Sequence, residues 1–239
     1  MNPANLIRLS ATAGSAPDLA AFLEGGAGLV GATEPLTSRW YALAREDRPE
    51  QLAIFDVFAS AEGRQAHFDG QVAAALAERA ADLVEGGWPG VLRHVNHLTC
   101  IAQHHADAGR TVRLATCIEL RAASGQADAL AAFLRAGCDL VAETEPDTLY
   151  WTALRWEDEP DRFAIFDLFA DASGRAAHFG GQVAAALKDR AGVLVEGGWD
   201  AVLAAVVHYE VRGAVRRLRA HSVRAPGLSP RRRLWTRWG

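Results

Sequence analysis

The chain has 239 residues, half of them hydrophobic, which is enough to bury the core of one domain or of two. No apolar run reaches the ~20 residues of a membrane-spanning helix, and no basic segment followed by an apolar stretch opens the chain, so we expect a cytoplasmic protein. Its cysteines, Cys100, Cys117 and Cys138, are odd in number and lack the spacing of a zinc site, which argues against a disulfide framework and a structural metal. No GxGxxG, Walker or HExxH pattern is present.

Positive charge is concentrated at the C-terminal end of the sequence. Segment 214–239 contains eight arginines and no acid, and removing these eight charges from the net charge of −4 leaves −12 for the rest of the chain. An acidic body repels nucleic acid, which is therefore not an expected partner, although the tail could attract RNA or an anionic membrane surface. Because Pro226, Gly227 and Pro230 interrupt the tail, we expect residues 214–239 to be basic and disordered.

The dominant feature of the sequence is an internal repeat. Sliding the chain against itself by 111 residues gives a gapless match from about Ile7 to His97, with roughly half of the positions identical. The repeat predicts two domains, residues 1–102 and 112–213, joined by a linker at 103–111. In that linker His104 and His105 are expected to be solvated.

Each repeat shows the same succession of predicted elements. Strand-length and helix-length runs are recognised by their apolar period, and turns by proline and glycine. Helices are expected to end before a Thr-Glu-Pro sequence, because the residue before a proline avoids the α region. In the first repeat the elements are a strand (6–12), a helix (18–30) that ends at Thr33-Glu34-Pro35, a hairpin of two strands (38–45 and 52–58), an Ala-rich helix with Ser60 as its N-cap that runs to Leu83 with a break at Gly70, and a strand (91–100).

The order β-α-β-β-α-β is that of a ferredoxin-like domain, with an antiparallel sheet and both helices on one face. Strand 53–58 is apolar on both sides apart from Asp56, which indicates that the other face of the sheet is buried too. Two such sheets packed face to face would bury both. We therefore predict an α+β fold in which two βαββαβ repeats form an intramolecular pseudo-dimeric α+β barrel.

Several motifs carry a resemblance to a known family. The second repeat contains Thr144-Glu145-Pro146, Tyr150-Trp151-Thr152-Ala153-Leu154, Ala164-Ile165-Phe166-Asp167, Gly174-Arg175-Ala176-Ala177-His178 and Val183-Ala184-Ala185-Ala186-Leu187. This pattern, which recurs from Thr33 to Leu76, resembles antibiotic biosynthesis monooxygenase-type domains. The resemblance implies the dimeric α+β barrel fold. Its superfamily includes cofactor-free quinol oxygenases, haem-degrading enzymes and lactone isomerases, so the fold alone does not fix the activity.

The candidate catalytic residues lie on the second long helix. Arg64, His67 and Gln71 recur at i, i+3 and i+7, so they are expected to share one face, as are Arg175, His178 and Gln182. A histidine among hydrogen-bond donors suits a general base that deprotonates a phenolic or enolic substrate. The resemblance also implies a histidine in this helix, at His67 and His178. The alternative is that the histidine packs the helix against the sheet while Arg and Gln are solvated.

Asp56 and Asp167 are the only charges in otherwise apolar strands. Burying a carboxylate is costly unless it is paired, and Arg64 and Arg175, eight residues later, are the expected partners in a structural salt bridge. The alternative is a catalytic or substrate-orienting carboxylate.

Aromatic residues complete the expected sites. Trp40 and Trp151 could stack on a flat substrate or could belong to the core. The expected substrate-binding residues are Trp40, Phe68 and Gln71 in the first repeat and Trp151, Phe179 and Gln182 in the second. Trp88 and Trp199 are expected to anchor the start of the last strand. Some relatives use an Asn, Trp and His constellation, but the second repeat has no Asn, which argues against haem degradation.

The leading hypothesis is a cofactor-independent monooxygenase that acts on an aromatic quinol or an anthrone-like compound with dioxygen, using His67 or His178, with no cofactor and no metal. A non-enzymatic ligand-binding or stress-associated barrel, and an isomerase or lyase with the same histidine as base, are the alternatives. Either repeat, or both, could hold the active pocket. A further homo-oligomer of the chain is left open.

Overall fold

The structure is a computed structural model that describes residues 2–106 and 109–217. The first repeat forms β1 (Asn2–Ser10), α1 (Ala16–Thr33), β2 (Thr37–Arg45), β3 (Gln51–Phe58), α2 (Ala61–Phe68), α3 (Gln71–Leu83), α4 (Gly87–Arg93) and β4 (Val95–His105). The second repeat forms β5 (Leu114–Arg121), α5 (Ala127–Thr144), β6 (Thr148–Trp156), β7 (Arg162–Phe169), α6 (Ala172–Phe179), α7 (Gln182–Leu194), α8 (Gly198–Ala204) and β8 (Val206–Arg216).

The eight strands form one closed antiparallel barrel in the order β1-β3-β2-β8-β5-β7-β6-β4. Strands β4 and β8 each pair with a strand of their own repeat and with a strand of the other: β4 lies between β1 and β6, and β8 lies between β5 and β2. The predicted intramolecular α+β barrel is therefore confirmed. Closure leaves no sheet edge exposed, which a single repeat could not achieve.

The interior of the barrel is an apolar core shared by both repeats. Phe55 of β3 and Phe166 of β7 are fully buried, and their rings stack with centroids 4.0 Å apart at the contact between the two half-sheets. Tyr41 lies 6.4 Å from Phe55 and 6.2 Å from Phe166. This arrangement explains why β3 is apolar on both sides, because one side faces the barrel interior and the other faces helices.

Each half-sheet is covered on its outer side by the helices of one repeat, and the first of these helices also packs on the last strand of the other repeat, α1 on β8 and α5 on β4. The packing of α1 and α3 against β2 and β3 buries Leu19, Leu23, Val30 and Leu76, and α5 and α7 do the same in the second repeat. The local signals that position these helices are as predicted. The side chains of Ser60 and Asp171 cap α2 and α6 by accepting hydrogen bonds from the N–H groups of Gly63 and Gly174. The predicted Ala-rich helix is divided in both repeats, because α2 ends at Phe68 and α6 ends at Phe179.

The last strand of each repeat lies further along the chain than predicted. Gly86 and Gly87 adopt positive φ angles of 74° and 59°, and this turn starts the short helix α4 instead of a strand. The expected strand 91–100 is therefore β4 at 95–105, and Trp88 lies in α4, as Trp199 lies in α8.

Both expected boundaries move because pairing between the repeats lengthens β4 and β8. Residues 103–105 of the expected linker belong to β4, where they pair with β6, and the His105 ring stacks on Tyr150 with centroids 5.2 Å apart. Residues 214–216 of the expected tail belong to β8, where they pair with β2, and Arg217 donates to the Gly31 carbonyl. Residues 218–239 lie outside the described residues, so the disordered tail stays a prediction for them.

Two further expectations concern membranes and metals. In the parts of the chain that the structure describes, no helix is both long enough and apolar enough to cross a membrane. Within the same ranges, no three His, Cys, Asp or Glu side chains are grouped as they would need to be to hold a metal ion. The three cysteines are buried and free, and burial raises the pKa of the Cys100 thiol to about 12.

Replacing Phe55 or Phe166 by Ala tests the shared core. We expect each variant to lose about 3–5 kcal/mol of unfolding free energy, because a fully buried aromatic ring is removed and a cavity is left. Because the rings touch across the two repeats, the double variant should lose less than the sum of the two single losses. Urea denaturation measures this, with the exposed Val193→Ala as control; additive losses would contradict contact between the half-sheets.

Candidate functional site

The centre of each repeat holds a buried histidine between two carboxylates. His67 of α2 is 5% exposed; its Nδ1 donates to Glu34 Oε2 at 2.6 Å, and its Nε2 lies 3.4 Å from Asp56 Oδ2. Glu34 follows α1, and its carboxylate also accepts from the Thr37 hydroxyl at 2.9 Å. The three side chains come from the end of α1, the middle of β3 and the end of α2, and we refer to them as the first triad.

The second repeat contains an equivalent second triad, Glu145, His178 and Asp167. His178 Nδ1 donates to Glu145 Oε2 at 2.5 Å, and His178 Nε2 lies 3.4 Å from Asp167 Oδ2. Asp167 is fully buried, and no hydrogen bond reaches either of its carboxylate oxygens from the described residues. The electrostatic attraction of the imidazole ring is thus the principal compensation for burying this carboxylate.

The triads shift the pKa values of their members in a consistent direction. Burial raises the pKa of Asp56 to about 6, although His67 opposes the rise, and burial also raises the pKa of Asp167. Burial alone would lower the histidine values, but the neighbouring carboxylates outweigh it, so the pKa of His67 is raised and that of His178 is raised to about 10. The His178 ring is therefore imidazolium at neutral pH.

The expected pairing of Asp56 with Arg64, and of Asp167 with Arg175, is wrong. Asp56 lies beneath His67 on the helix-covered face of the sheet, whereas Arg64 extends from α2 to the seam between β4 and β6. There it binds Glu157 of the second repeat through contacts of 2.6 and 2.9 Å.

The equivalent arginine makes the reciprocal contact. Arg175 binds Glu46 of the first repeat through contacts of 2.6 and 3.1 Å. Each arginine thus ties its helix to the other repeat. The eight-residue spacing in the sequence could not show which way the helix turns these side chains.

The glutamines are not part of the triad face. The expected i, i+3, i+7 face needs a continuous helix, but α2 ends at Phe68 and α3 begins at Gln71, so the angular relation is lost. Gln71 is exposed and lines a separate cavity of about 290 Å³ on the outer side of Glu34 and His67. Gln182 is exposed as well.

Two groups that contribute to the site were missed by the sequence interpretation. Glu34 and Glu145 were recognised only as parts of the sequences that end α1 and α5. In both repeats the glutamate stands three residues before a threonine that donates a hydrogen bond to it, Thr37 in the first and Thr148 in the second. This repeated spacing was the signal in the sequence that could have identified the two glutamates. His97, on β4 across from Asn5, was also missed; its Nδ1 contacts Asn5 Oδ1 at 3.0 Å, and burial lowers its pKa.

The second triad borders a cavity of about 320 Å³ between the sheet and helices α6 to α8. Its walls are mostly apolar, and its lining includes Trp151, His178, Phe179, Val183, Leu187, Lys188 and Trp199. Trp151 is 1% exposed, and its indole N–H has no hydrogen-bond partner in the described parts of the chain. Phe179 is 36% exposed. The cavity therefore combines an apolar interior, a flat aromatic wall and a buried histidine that is paired with two carboxylates.

The corresponding space in the first repeat is almost closed. Equivalent side chains, among them Trp40, His67, Phe68 and Trp88, enclose only about 30 Å³. Trp40 is fully buried, and its indole N–H also lacks a partner among the residues described. The expected substrate-binding aromatics therefore line the inner space of their repeats, and this inner space is large enough for a ligand in the second repeat. In the first repeat Phe68 and Trp88 also border a more open space of about 670 Å³ with His97.

The difference in volume has few candidate causes in the sequence, because the lining residues are nearly the same in both repeats. One difference lies in the short helices: a Cβ on Gly90 of α4 would lie 2.2 Å from the Glu85 carbonyl oxygen. The equivalent residue in α8 is Ala201, so α8 cannot approach its own turn as α4 does. A second difference is Lys188, which lines the second cavity where the first repeat has Ala77. A third is Gly180, which lines it where the first repeat has Asp69.

Comparison with known proteins identifies the fold. No family model matches the chain, and no curated protein does. Solved structures match over most of its length. A candidate monooxygenase from Fusobacterium nucleatum has a TM-score of 0.74 at 9% identity, with 91% of this chain and 98% of that chain covered. A second candidate monooxygenase, from Lactobacillus acidophilus, has a TM-score of 0.70 at 12% identity, with 90% of this chain and 99% of that chain covered.

A third structure, of an anthrone oxidase-like protein, matches with a TM-score of 0.57 at 14% identity and covers 90% of this chain and 92% of that one. At these identities the similarity establishes the fold. The chain has the fold of these structures, and its two tandem repeats close into a pseudo-dimeric α+β barrel.

The triads predict how stability depends on pH. Because the folded pKa of His178 is raised to about 10 from an ordinary value near ~6.5, its stabilising contribution is complete below pH ~6.5 and is lost as the pH rises through about 10. The unfolding free energy should therefore fall from pH 6.5 to 10, and His178→Asn should show a smaller fall. Urea denaturation across this range measures it, with the exposed His94→Asn as control. Parallel curves for wild type and His178→Asn would contradict the charged triad.

Proposed function

We propose that the chain is a monooxygenase-like enzyme that oxidises a small planar aromatic compound, a quinol or an anthrone-like molecule, with dioxygen in the cavity of the second repeat. One observation carries the proposal: an apolar cavity of about 320 Å³ has a buried imidazolium, His178, in its wall. The names of the solved structures with the same fold, two candidate monooxygenases and an anthrone oxidase-like protein, support the reaction class.

The reaction requires an electron-rich anion. When an anthrone is the substrate, the ring CH₂ loses a proton to give an anion whose charge resides largely on the oxygen. The anion then reduces dioxygen and forms a C–O bond, and loss of water from the resulting hydroperoxide gives the quinone. One oxygen atom enters the product and the other leaves as water, so the substrate supplies all of the electrons and no further reductant is required.

The role of the histidine differs from the general base expected from the sequence. A ring whose pKa is about 10 already carries its proton at neutral pH, so it cannot accept another. In the proposed mechanism the imidazolium stabilises the negative oxygen of the substrate anion in an apolar surrounding, which lowers the pKa of the substrate. The substrate proton passes to water at the open side of the cavity.

The remaining residues have supporting roles in this proposal. Glu145 and Asp167 keep His178 charged and fix its ring, so they are positioning residues. Trp151 and Phe179 provide flat apolar surfaces for the substrate rings and exclude water. Arg175 holds α6 to the other repeat through Glu46 and is not assigned to the chemistry.

A binding protein without catalysis is the second candidate. The observation that favours it is that both ring nitrogens of His178 face carboxylates, so the histidine could serve only to hold α6 on the sheet. Such a protein would bind a planar compound in the same cavity and leave it unchanged.

The two triads offer a matched pair of variants for testing the enzyme. With 1,8-dihydroxyanthrone as probe, we expect wild-type protein to accelerate oxygen uptake and quinone formation. His178→Asn should reduce the rate at least about tenfold, because a buried charge that stabilises the anion is lost. His67→Asn removes the same kind of triad beside a nearly closed space, so it should retain most of the activity. An oxygen electrode and quinone absorbance measure these rates.

Three outcomes would change the assignment. Equal loss of activity in both variants would contradict a single active cavity in the second repeat. Product formation at the same rate without oxygen would point to an isomerase or lyase. Binding of the probe without turnover would leave the second candidate, the binding protein.

A further inference from the structure

Lys188 stands out both in the sequence and in the cavity. The chain contains 25 Lys and Arg residues, and Lys188 is the only lysine among them. It lies on α7, lines the cavity of the second repeat and is exposed to solvent. The equivalent residue of the first repeat is Ala77, which does not line the nearly closed space there.

The Lys188 ammonium has no acidic partner among the residues that the structure describes. Within residues 2–106 and 109–217 it makes no ion pair, and the neighbours on its own face, Ala184, Ala185, Ala191 and Gly192, are all uncharged. Arg64 and Arg175, by contrast, are both bound to glutamates of the other repeat. A cation that borders an apolar cavity without an internal partner is suited to an anionic group of a ligand.

We propose that Lys188 is a specificity-determining residue that selects substrates with an anionic substituent, a carboxylate, on the planar ring system. This inference rests on the proposed function, since it assigns the substrate class of the same cavity. The apolar interior holds the rings, His178 faces the reacting oxygen, and the Lys188 ammonium binds the carboxylate where the cavity opens to solvent. A long flexible side chain at the rim reaches such a group while its charge stays hydrated.

A pair of unreactive ligands tests the inference by binding alone. Anthraquinone-2-carboxylate and anthraquinone-2-carboxamide have the same ring system and differ in charge. Isothermal titration calorimetry at neutral pH should show about fivefold tighter binding of the carboxylate to wild-type protein, the size of one favourable surface ion pair. Lys188→Ala, which installs the residue of the first repeat, should abolish this preference and leave carboxamide binding unchanged. Lys188→Arg should keep it.

The unique lysine provides a second readout. Acetic anhydride labels the Lys188 amine and the α-amino group of the chain, and mass spectrometry measures each. Saturating anthraquinone-2-carboxylate should slow the labelling of Lys188 severalfold, whereas the carboxamide should slow it less, with the α-amino group as internal reference. Equal protection by both ligands would contradict a carboxylate contact.

The outcomes separate the two proposals. A carboxylate preference that survives Lys188→Ala, or equal affinities for the two ligands in wild-type protein, would overturn the role of Lys188 and leave the cavity as the binding site. If neither ligand bound wild-type protein, the proposed function would fail and this inference with it.

Discussion

The attraction between a buried histidine and two carboxylates is the interaction on which the interior of each repeat depends. Asp56 and Asp167 lie on the central strands of the half-sheets with no exposure to solvent, where an unpaired carboxylate would be severely destabilising. The histidine at the end of the following short helix compensates for that cost, and a glutamate from the end of the first helix raises the pKa of the histidine and so favours its protonated form. Three separate elements are thereby fixed relative to one another around the histidine.

The tandem duplication gives this arrangement twice, and barrel closure joins the two copies into one body. Strands β4 and β8 cross between the repeats, the rings of Phe55 and Phe166 meet inside the barrel, and reciprocal arginine–glutamate pairs tie each short helix to the opposite repeat. The copies nevertheless differ in the inner space between the sheet and the helices, with about 320 Å³ in the second repeat and about 30 Å³ in the first, where the larger spaces of about 670 and 290 Å³ lie outside it. One copy can therefore stabilise the fold while the other binds a ligand.

Much of the fold was predictable because it is encoded locally and then repeated. The apolar periods, the Ser60 and Asp171 caps and the proline stops positioned most elements, and the strand that is apolar on both sides implied the barrel. The error at α4 arose because two glycines that look like a simple turn start a helix there. The strands β4 and β8 run longer than predicted because their ends are stabilised by the other repeat, which is a non-local effect.

The candidate site was predictable only in part. His67 and His178 were identified, but the partner of each aspartate was misassigned, since sequence spacing does not reveal which way α2 or α6 faces. The difference between the two cavities was not predicted, because most of the side chains that line them are the same and the effect of the few substitutions, such as Gly90 against Ala201, depends on how the short helices pack.

The most direct test of the central claim is a crystal structure of the full chain with anthraquinone-2-carboxylate. We expect one ligand per chain, in the cavity of the second repeat, with its rings on Trp151 and one oxygen facing His178. A ligand in the first repeat beside His67, or equal occupancy of both repeats, would contradict it.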